Sequence, residues 1–220
     1  MNILILGASR GIGLEFVRQY REANHVVTAT ARDAEGLVRI TALGAKALKL
    51  EVTDPASISG LGWQLDGEKV DLALYVAGVM SRGDARQAPA RDDFDRVMHT
   101  NVLGPMRVIP QLVDALAEGA RLGVISSRMG SMGLRASADG WLYRASKAAV
   151  NSVLKDASIA LAGRAICVAL HPGWVRTDMG GDGADLDVAE SAGALRATLA
   201  ALTPADNGRF LNHDGQGLDW

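Results

Sequence analysis

Residues 2–20, NILILGASRGIGLEFVRQY, decide how the rest of the chain is read. Asn2-Ile3-Leu4-Ile5-Leu6 is a short apolar run suited to a strand, and it passes directly into Gly7-Ala8-Ser9-Arg10-Gly11-Ile12-Gly13. Leu14 to Tyr20 then follows a helical pattern. A glycine turn between a strand and a helix is the setting in which such a motif binds a dinucleotide. Its glycines let the backbone turn tightly and approach a pyrophosphate, whose charge then sits at the helix N-terminus.

Working outward, strands and helices alternate. A second strand (25–30) ends at Ala31-Arg32. A site preferring NAD(H) usually carries an acid there, on the ribose 2′-hydroxyl. Ala31 followed by the Arg32 guanidinium suits a 2′-phosphate instead, and Arg10 could reach the same group. The expected cofactor is therefore NADP(H) rather than NAD(H), with Asp33 as an alternative ribose acceptor. A helical stretch (34–43) and a third strand (46–50) lead to Glu51-Val52-Thr53-Asp54-Pro55, where Thr53 or Asp54 can cap a helix begun by Pro55. The fourth strand (70–76) ends in Ala77-Gly78, small residues that leave room for the adenosine ribose.

Residues 81–91 read as a loop. A helix bearing Phe94, Val97 and Met98 on one face then carries Asn101, and Gly104-Pro105 predicts a break or kink there. An amide at such a kink could hold a water. A fifth strand (121–126) delivers Ser127, and residues 128–140 form a Gly- and Ser-rich loop. A long helix runs to about Gly163, and a sixth strand covers 165–170. After His171 the glycines and acids of 180–187 suggest a mobile loop able to cover a ligand. A helix (188–202) and a strand (208–212) complete the pattern. The reading is one α/β doubly wound domain over 1–220, with a mostly parallel sheet, helices on both faces and right-handed crossovers.

Tyr143 and Lys147 stand four apart in Tyr-Arg-Ala-Ser-Lys, on one face of the long helix. A free phenol has a pKa of about 10. A nearby ammonium favours the phenolate and is expected to lower that value into the range of general acid-base work. Ser127 can offer a hydroxyl to a carbonyl oxygen beside Tyr143, with Ser131 as its rival.

Composition excludes other classes. Hydrophobic residues make up 48% and charged residues 22%, an ordinary soluble balance. The net charge of −2 comes without a basic block, so nucleic acid is not an expected partner. Four histidines and one cysteine show no metal-ligand spacing. Cys167 lies in an apolar run and reads as a buried thiol. No membrane-spanning run or leader is evident, so the expected location is cytoplasmic.

The ordered motifs resemble the short-chain dehydrogenase/reductase family along nearly the whole chain. They are GASRGIG at 7–13, Asn101 in NVLG, ISS at 125–127, YRASK at 143–147, and Pro172-Gly173 with Thr177. HPGWVRTDMGG and the ending with Asn212-His213-Asp214-Gly215 and Trp220 look like its C-factor or sniffer-type carbonyl reductase branch. The resemblance implies that Tyr143 exchanges the proton, Lys147 holds the nicotinamide ribose, Ser127 orients the carbonyl and Asn101 supports a water-linked relay. It implies cofactor contacts from Gly7, Ser9, Arg10, Gly11, Ile12, Gly13, Arg32, Glu51, Val52, Ala77, Gly78, Pro172, Gly173, Val175 and Thr177, besides Tyr143 and Lys147.

Leu6, Tyr75-Val76 and Glu51 depart from the family's usual threonine, asparagines and aspartate. Trp141 and Trp174 are expected to line an open substrate pocket, with 173–187 as the substrate loop. The implied activity is NADPH-dependent reduction of a ketone, aldehyde or quinone-like carbonyl, or the reverse oxidation of an alcohol. The alternative is an NADP(H)-binding signalling protein of the C-factor type with little turnover. A homo-dimer or tetramer, joined through helices around 92–117 and 141–162, is a further family expectation.

Overall fold

Ile3 and Ile5 face one side of strand β1 (Asn2–Leu6) while Leu4 and Leu6 face the other, and the two pairs enter different apolar cores. That alternation is the strand period of two, and burial on both sides is the mark of a parallel sheet covered by helices. The computed structural model covers residues 1–220. Its strands are β1, β2 (Val26–Ala31), β3 (Lys46–Lys49), β4 (Val70–Tyr75), β5 (Leu116–Ile125), β6 (Ala165–His171) and β7 (Arg209–Asn212). They form one sheet in the order β3-β2-β1-β4-β5-β6-β7, and all neighbours are parallel.

One face is covered by α1 (Gly11–Glu22), α2 (Ala34–Ala42) and α8 (Val188–Ala201), through Phe16, Val17, Tyr20, Ile40, Leu195 and Leu199. The other carries α3 (Pro55–Ser59), α4 (Leu61–Gln64), α6 (Gly104–Leu112) and α7 (Trp141–Ala160), through Ile58, Leu61, Val108, Leu112, Val150 and Leu154. Strand order reverses between β1 and β4, so a crevice opens above their C-terminal ends, where open α/β sheets bind ligands. No helix is long and apolar enough to cross a membrane.

Local chemistry explains where elements begin. Asp54 caps α3 by accepting the Ala56 N–H at 3.0 Å, with Pro55 in the first turn. Asp187 and Glu190 close a reciprocal capping box on α8.

The expected helix over 92–117 is three segments. α5 (Arg91–Met98) passes into a π-helical stretch, His99–Leu103, then into α6, which ends at Leu112. The insertion lies where Gly104-Pro105 predicted a break, and the Gly104 N–H reaches back to His99 O. Strand β5 begins at Leu116 rather than 121, because Leu116 pairs in register with Val70 and the Val70 N–H donates to Ala115 O at 2.8 Å. A register shift and Gly119, at φ +71°, then absorb the polar Glu118 region.

Candidate functional site

The glycine turn is shaped by contacts that forbid side chains. Gly7 has φ +93°, and a Cβ there would lie 2.6 Å from the Ala77 nitrogen. A Cβ on Gly13 would lie 2.3 Å from Gly7 O. The turn is fastened to β2 by Thr30, whose carbonyl accepts the Ala8 N–H (2.8 Å) and whose hydroxyl accepts the Gly7 N–H (3.0 Å). Arg10 occupies the N-cap of α1 without a side-chain capping bond, and no acid stands in the first turn. The helix thus presents uncapped N–H groups to the crevice, a cradle that fits a pyrophosphate. Ser9, Gly11 and Ile12 lie in the same turn, and Ala77-Gly78 continues β4 directly opposite it.

At the end of β2 the charges are arranged differently from expectation. Arg10 is paired with Asp178 in the loop after β6, and Arg32 with Glu51 at 3.9 Å; both arginine side chains are 71% exposed. Asp33 caps α2, its Oδ1 accepting the Gly36 N–H at 2.7 Å. Glu51 also accepts from the N–H (3.0 Å) and hydroxyl (2.9 Å) of Thr53. The side chain of Val52 joins an apolar core. A third cation went unnoticed in the sequence: Arg39 on α2 donates from Nε to Ser9 O at 2.8 Å.

Ser127, Tyr143, Lys147 and Asn101 are all buried. β5 delivers Ser127 and the first turns of α7 carry Tyr143 and Lys147. Lys147 Nζ donates to Ile125 O at 2.9 Å and lies 5.6 Å from the centre of the Tyr143 ring. A Cβ on Gly78 would lie 3.5 Å from both Lys147 Nζ and Asn101 Oδ1, so the end of β4 faces these groups. Burial holds the Lys147 ammonium down to about 8. Burial likewise pushes the Tyr143 phenol up to about 12, offset in part by the Ser127 hydroxyl. Without a ligand the phenol is thus raised rather than lowered, because desolvation of the phenolate outweighs the Ser127 hydroxyl.

Asn101 also differs from expectation. Its Oδ1 accepts the Val79 N–H (2.8 Å), and its Nδ2 donates to Val79 O (2.8 Å) and Ser146 Oγ (3.0 Å). Both amide donors are spent on protein partners, so the side chain pins the segment after β4, while Oδ1 accepts only the Val79 N–H. Ser146, which sequence reasoning passed over, links the group by donating to Tyr143 O at 2.7 Å. Tyr75 donates its hydroxyl to Thr100 O at 3.0 Å and steadies the π-helical stretch. Ser131 is fully buried, but its hydroxyl donates to Trp220 O (3.3 Å) and accepts the Leu134 N–H (3.0 Å). Ser127 is thus the serine facing the phenol.

The loop after β6 is tied rather than loose. Val175 bridges Leu186, the Trp174 indole donates to Gly180 O at 2.9 Å, and Arg176 donates to Ala184 O at 2.9 Å. Gly173 takes φ +84°, and Pro172 O accepts the Ser191 hydroxyl at 2.7 Å. The Thr177 hydroxyl accepts the Gly180 N–H at 3.1 Å, and its methyl would lie 3.6 Å from a Cβ on Gly11. The loop therefore borders the glycine turn. Trp174, expected in a pocket wall, spends its indole N–H on this loop, and Trp141 opens α7 partly exposed.

A doubly wound sheet, a glycine turn at its switch point and a buried Ser-Tyr-Lys group define a dinucleotide-binding oxidoreductase. Comparison with known proteins agrees. The family model "short chain dehydrogenase" matches residues 1–185. A 1-hydroxy-2-glutathionyl-2-methyl-3-butene dehydrogenase of Rhodococcus sp. is 33% identical, with 99% of each chain covered. The C-signal of Myxococcus xanthus is 35% identical over 69% of this chain and 93% of its own. The structure of an NADPH-bound carbonyl reductase from chicken fatty liver superposes with TM-score 0.88 at 33% identity, covering 100% of this chain and 98% of that one. The chain belongs to the short-chain dehydrogenase/reductase family and is an oxidoreductase of that family.

Proposed function

We propose that the protein reduces a ketone or aldehyde to an alcohol with NADPH, with Tyr143 giving the proton. The observation that carries this reading is the burial of Ser127, Tyr143 and Lys147 together beside the glycine turn. NADP(H) would be held by the turn Gly7-Ser9-Gly11-Ile12-Gly13 at its pyrophosphate, by Arg10, Arg32 and Arg39 near its 2′-phosphate, and by Lys147 and the 172–177 segment at its nicotinamide end. When bound it supplies the hydride. Ser127 holds the substrate oxygen by its hydroxyl, next to the phenol. At neutral pH a phenol raised to about 12 is protonated but a weaker acid than a free one, so its proton transfer depends on the ammonium held beside it. Lys147, close beside the ring, stabilises the phenolate left behind. Asn101 acts through Val79 and Ser146 to keep these groups in register.

The NADPH-bound reductase neighbour supports the cofactor choice, as does Ala31 in place of an acid. A cytoplasmic, reducing setting fits the free, buried Cys167. Phe94, Met106 and Ile159, exposed on α5, α6 and α7, support self-association through those helices. A second reading, NADP(H) binding for signalling with little turnover, rests on the similarity to C-signal.

The test is consumption of NADPH and NADH by the purified protein against activated ketones, aldehydes and quinones, beside a Tyr143→Phe variant. NADPH-selective turnover lost in the variant supports the reductase reading. Faster turnover with NADH overturns the cofactor choice. Tight NADPH binding without turnover favours the signalling reading.

A further inference from the structure

The C-terminal ends of β5, β6 and β7 lie side by side, and each leads into a cationic or imidazole side chain. The Ser126 N–H donates to Leu170 O at 2.8 Å, so Ser127-Arg128 leaves β5 beside His171. His171 is in register with Asn212, which is followed by His213. Arg128 opens a short 3-10 turn, Arg128–Gly130, that is locked in place. Ser127 Oγ accepts the Met129 N–H at 3.1 Å, and a Cβ on Gly130 would lie 2.8 Å from the Lys147 backbone. The guanidinium thus leaves a fixed stem one residue beyond Ser127.

Arg128 is exposed and enters none of the ion pairs of the protein. Beside it the Nδ1 of His171 is buried without a hydrogen-bond partner. Burial, His213 and Arg128, in that order, push His171 down to about 4, so this imidazole stays neutral at pH 7. The His213 ring reaches the end of β6, where a Cβ on Gly173 would lie 3.3 Å from its Nδ1. The nearby acid, Asp214, is engaged by the Gln216 N–H (3.0 Å), Gln216 Nε2 (3.1 Å) and Asn212 Nδ2 (3.0 Å). His213 is itself partnered, with its Nδ1 3.0 Å from Asn212 Oδ1 and the Asp214 carboxylate nearby, so Arg128 is the cation of this group left without an anion.

Resting on the reductase reading, we propose that the physiological substrate is a carboxylate-bearing ketone or aldehyde, its carboxylate received by Arg128 with His171 and His213 alongside. A guanidinium offers a carboxylate two parallel N–H donors, which fixes orientation as well as charge. With the carboxylate anchored there, the carbonyl oxygen lies within reach of Ser127 and Tyr143. The carboxylate takes no part in the chemistry. Hydride adds to the carbonyl carbon, the C=O π pair moves to oxygen and takes the Tyr143 proton, and NADPH is oxidised to NADP⁺.

The experiment compares 4-acetylbenzoate with its methyl ester, alike in shape but not in charge, in the wild type, Arg128→Ala and Arg128→Lys. The acid is expected to exceed the ester in kcat/KM by about tenfold or more in the wild type. Arg128→Ala should cut that ratio by about tenfold, and Arg128→Lys should recover only part of it. An ester reduced as well as the acid by the wild type overturns the proposal, as does an Arg128→Ala variant that weakens both alike. If neither probe is reduced, the reductase reading is in trouble on its own account. The corresponding hydroxyacid and its ester are then titrated calorimetrically into the NADP⁺-loaded protein. Acid-selective binding lost in Arg128→Ala upholds the carboxylate site, and equal binding overturns it.

Discussion

The two halves of the crevice solve their electrostatics in opposite ways. On the β4–β6 side the polar groups are buried and bonded to protein: Lys147 is 4% exposed, Asn101 2% and Ser146 0%. On the β1–β3 side the charges that would choose the cofactor, Arg10 and Arg32, lie in solvent and are paired with Asp178 and Glu51. The proposed chemical end is therefore assembled before any ligand arrives, as a preorganised site needs to be. The proposed recognition end holds its cations in weak surface pairs, which a phosphate could replace.

The largest effect should come from removing the proposed proton donor. Tyr143→Phe is expected to lower kcat/KM by about 10²–10⁴-fold while the NADPH dissociation constant, followed by fluorescence, moves by less than about threefold. A comparable loss of binding would mean that the buried side also carries recognition, and the contrast would fail.

Next is Asn101→Ala, which strands the Val79 backbone groups and frees Ser146. It should cost about 2–4 kcal/mol in urea unfolding and lower kcat more than it raises KM. A stability change near zero would show that the network does not hold the site together.

Lys147 gives a pH-dependent test. The unfolded chain keeps its lysine proton up to about 10.5, whereas the folded protein releases it near 8. Between those values the unfolded state binds more protons, so stability from this group rises with pH; below about 8 both states are protonated and the slope vanishes. The wild type should gain about 1–2 kcal/mol over Lys147→Met between pH 7.5 and 9.5, read from paired urea titrations. A difference that stays flat would mean that the ammonium is solvated in solution.

The smallest effect belongs to the exposed side. Asp178→Ala frees Arg10 and should tighten NADPH binding by no more than about fivefold, leaving NADH unaffected. A larger gain would show that the pair is a real competitor for the 2′-phosphate.

Much of this was legible in the chain because it rests on local rules. The glycine turn, the apolar strand β1 before it and the Tyr143–Lys147 spacing follow from backbone sterics, apolar patterning and helical period, and each appears where expected. The start of β5 was not legible, since Leu116 extends that strand only because Val70 is beside it. The Tyr143 phenol was misjudged for a related reason: spacing reveals a nearby ammonium, but not how far water is excluded from both groups. The partners of Asn101 were not legible, because Val79 and Ser146 reach its amide only through the tertiary fold. Ser146 and Arg39 gave no signal, because a serine within a helix and an arginine on one are ordinary.

Tyr75, standing where relatives of this kind were expected to carry asparagine, has a consequence for how the protein can change. A methyl group on Gly104 would lie 2.4 Å from its hydroxyl oxygen, and that same hydroxyl is bonded to Thr100. The two positions are therefore bound to a shared history. Gly104→Ala should be harmful alone and far milder once Tyr75→Phe has removed the oxygen, so the order of the two substitutions decides which path is open. A double-mutant cycle on unfolding free energy would read this as coupling, and additive effects would deny it.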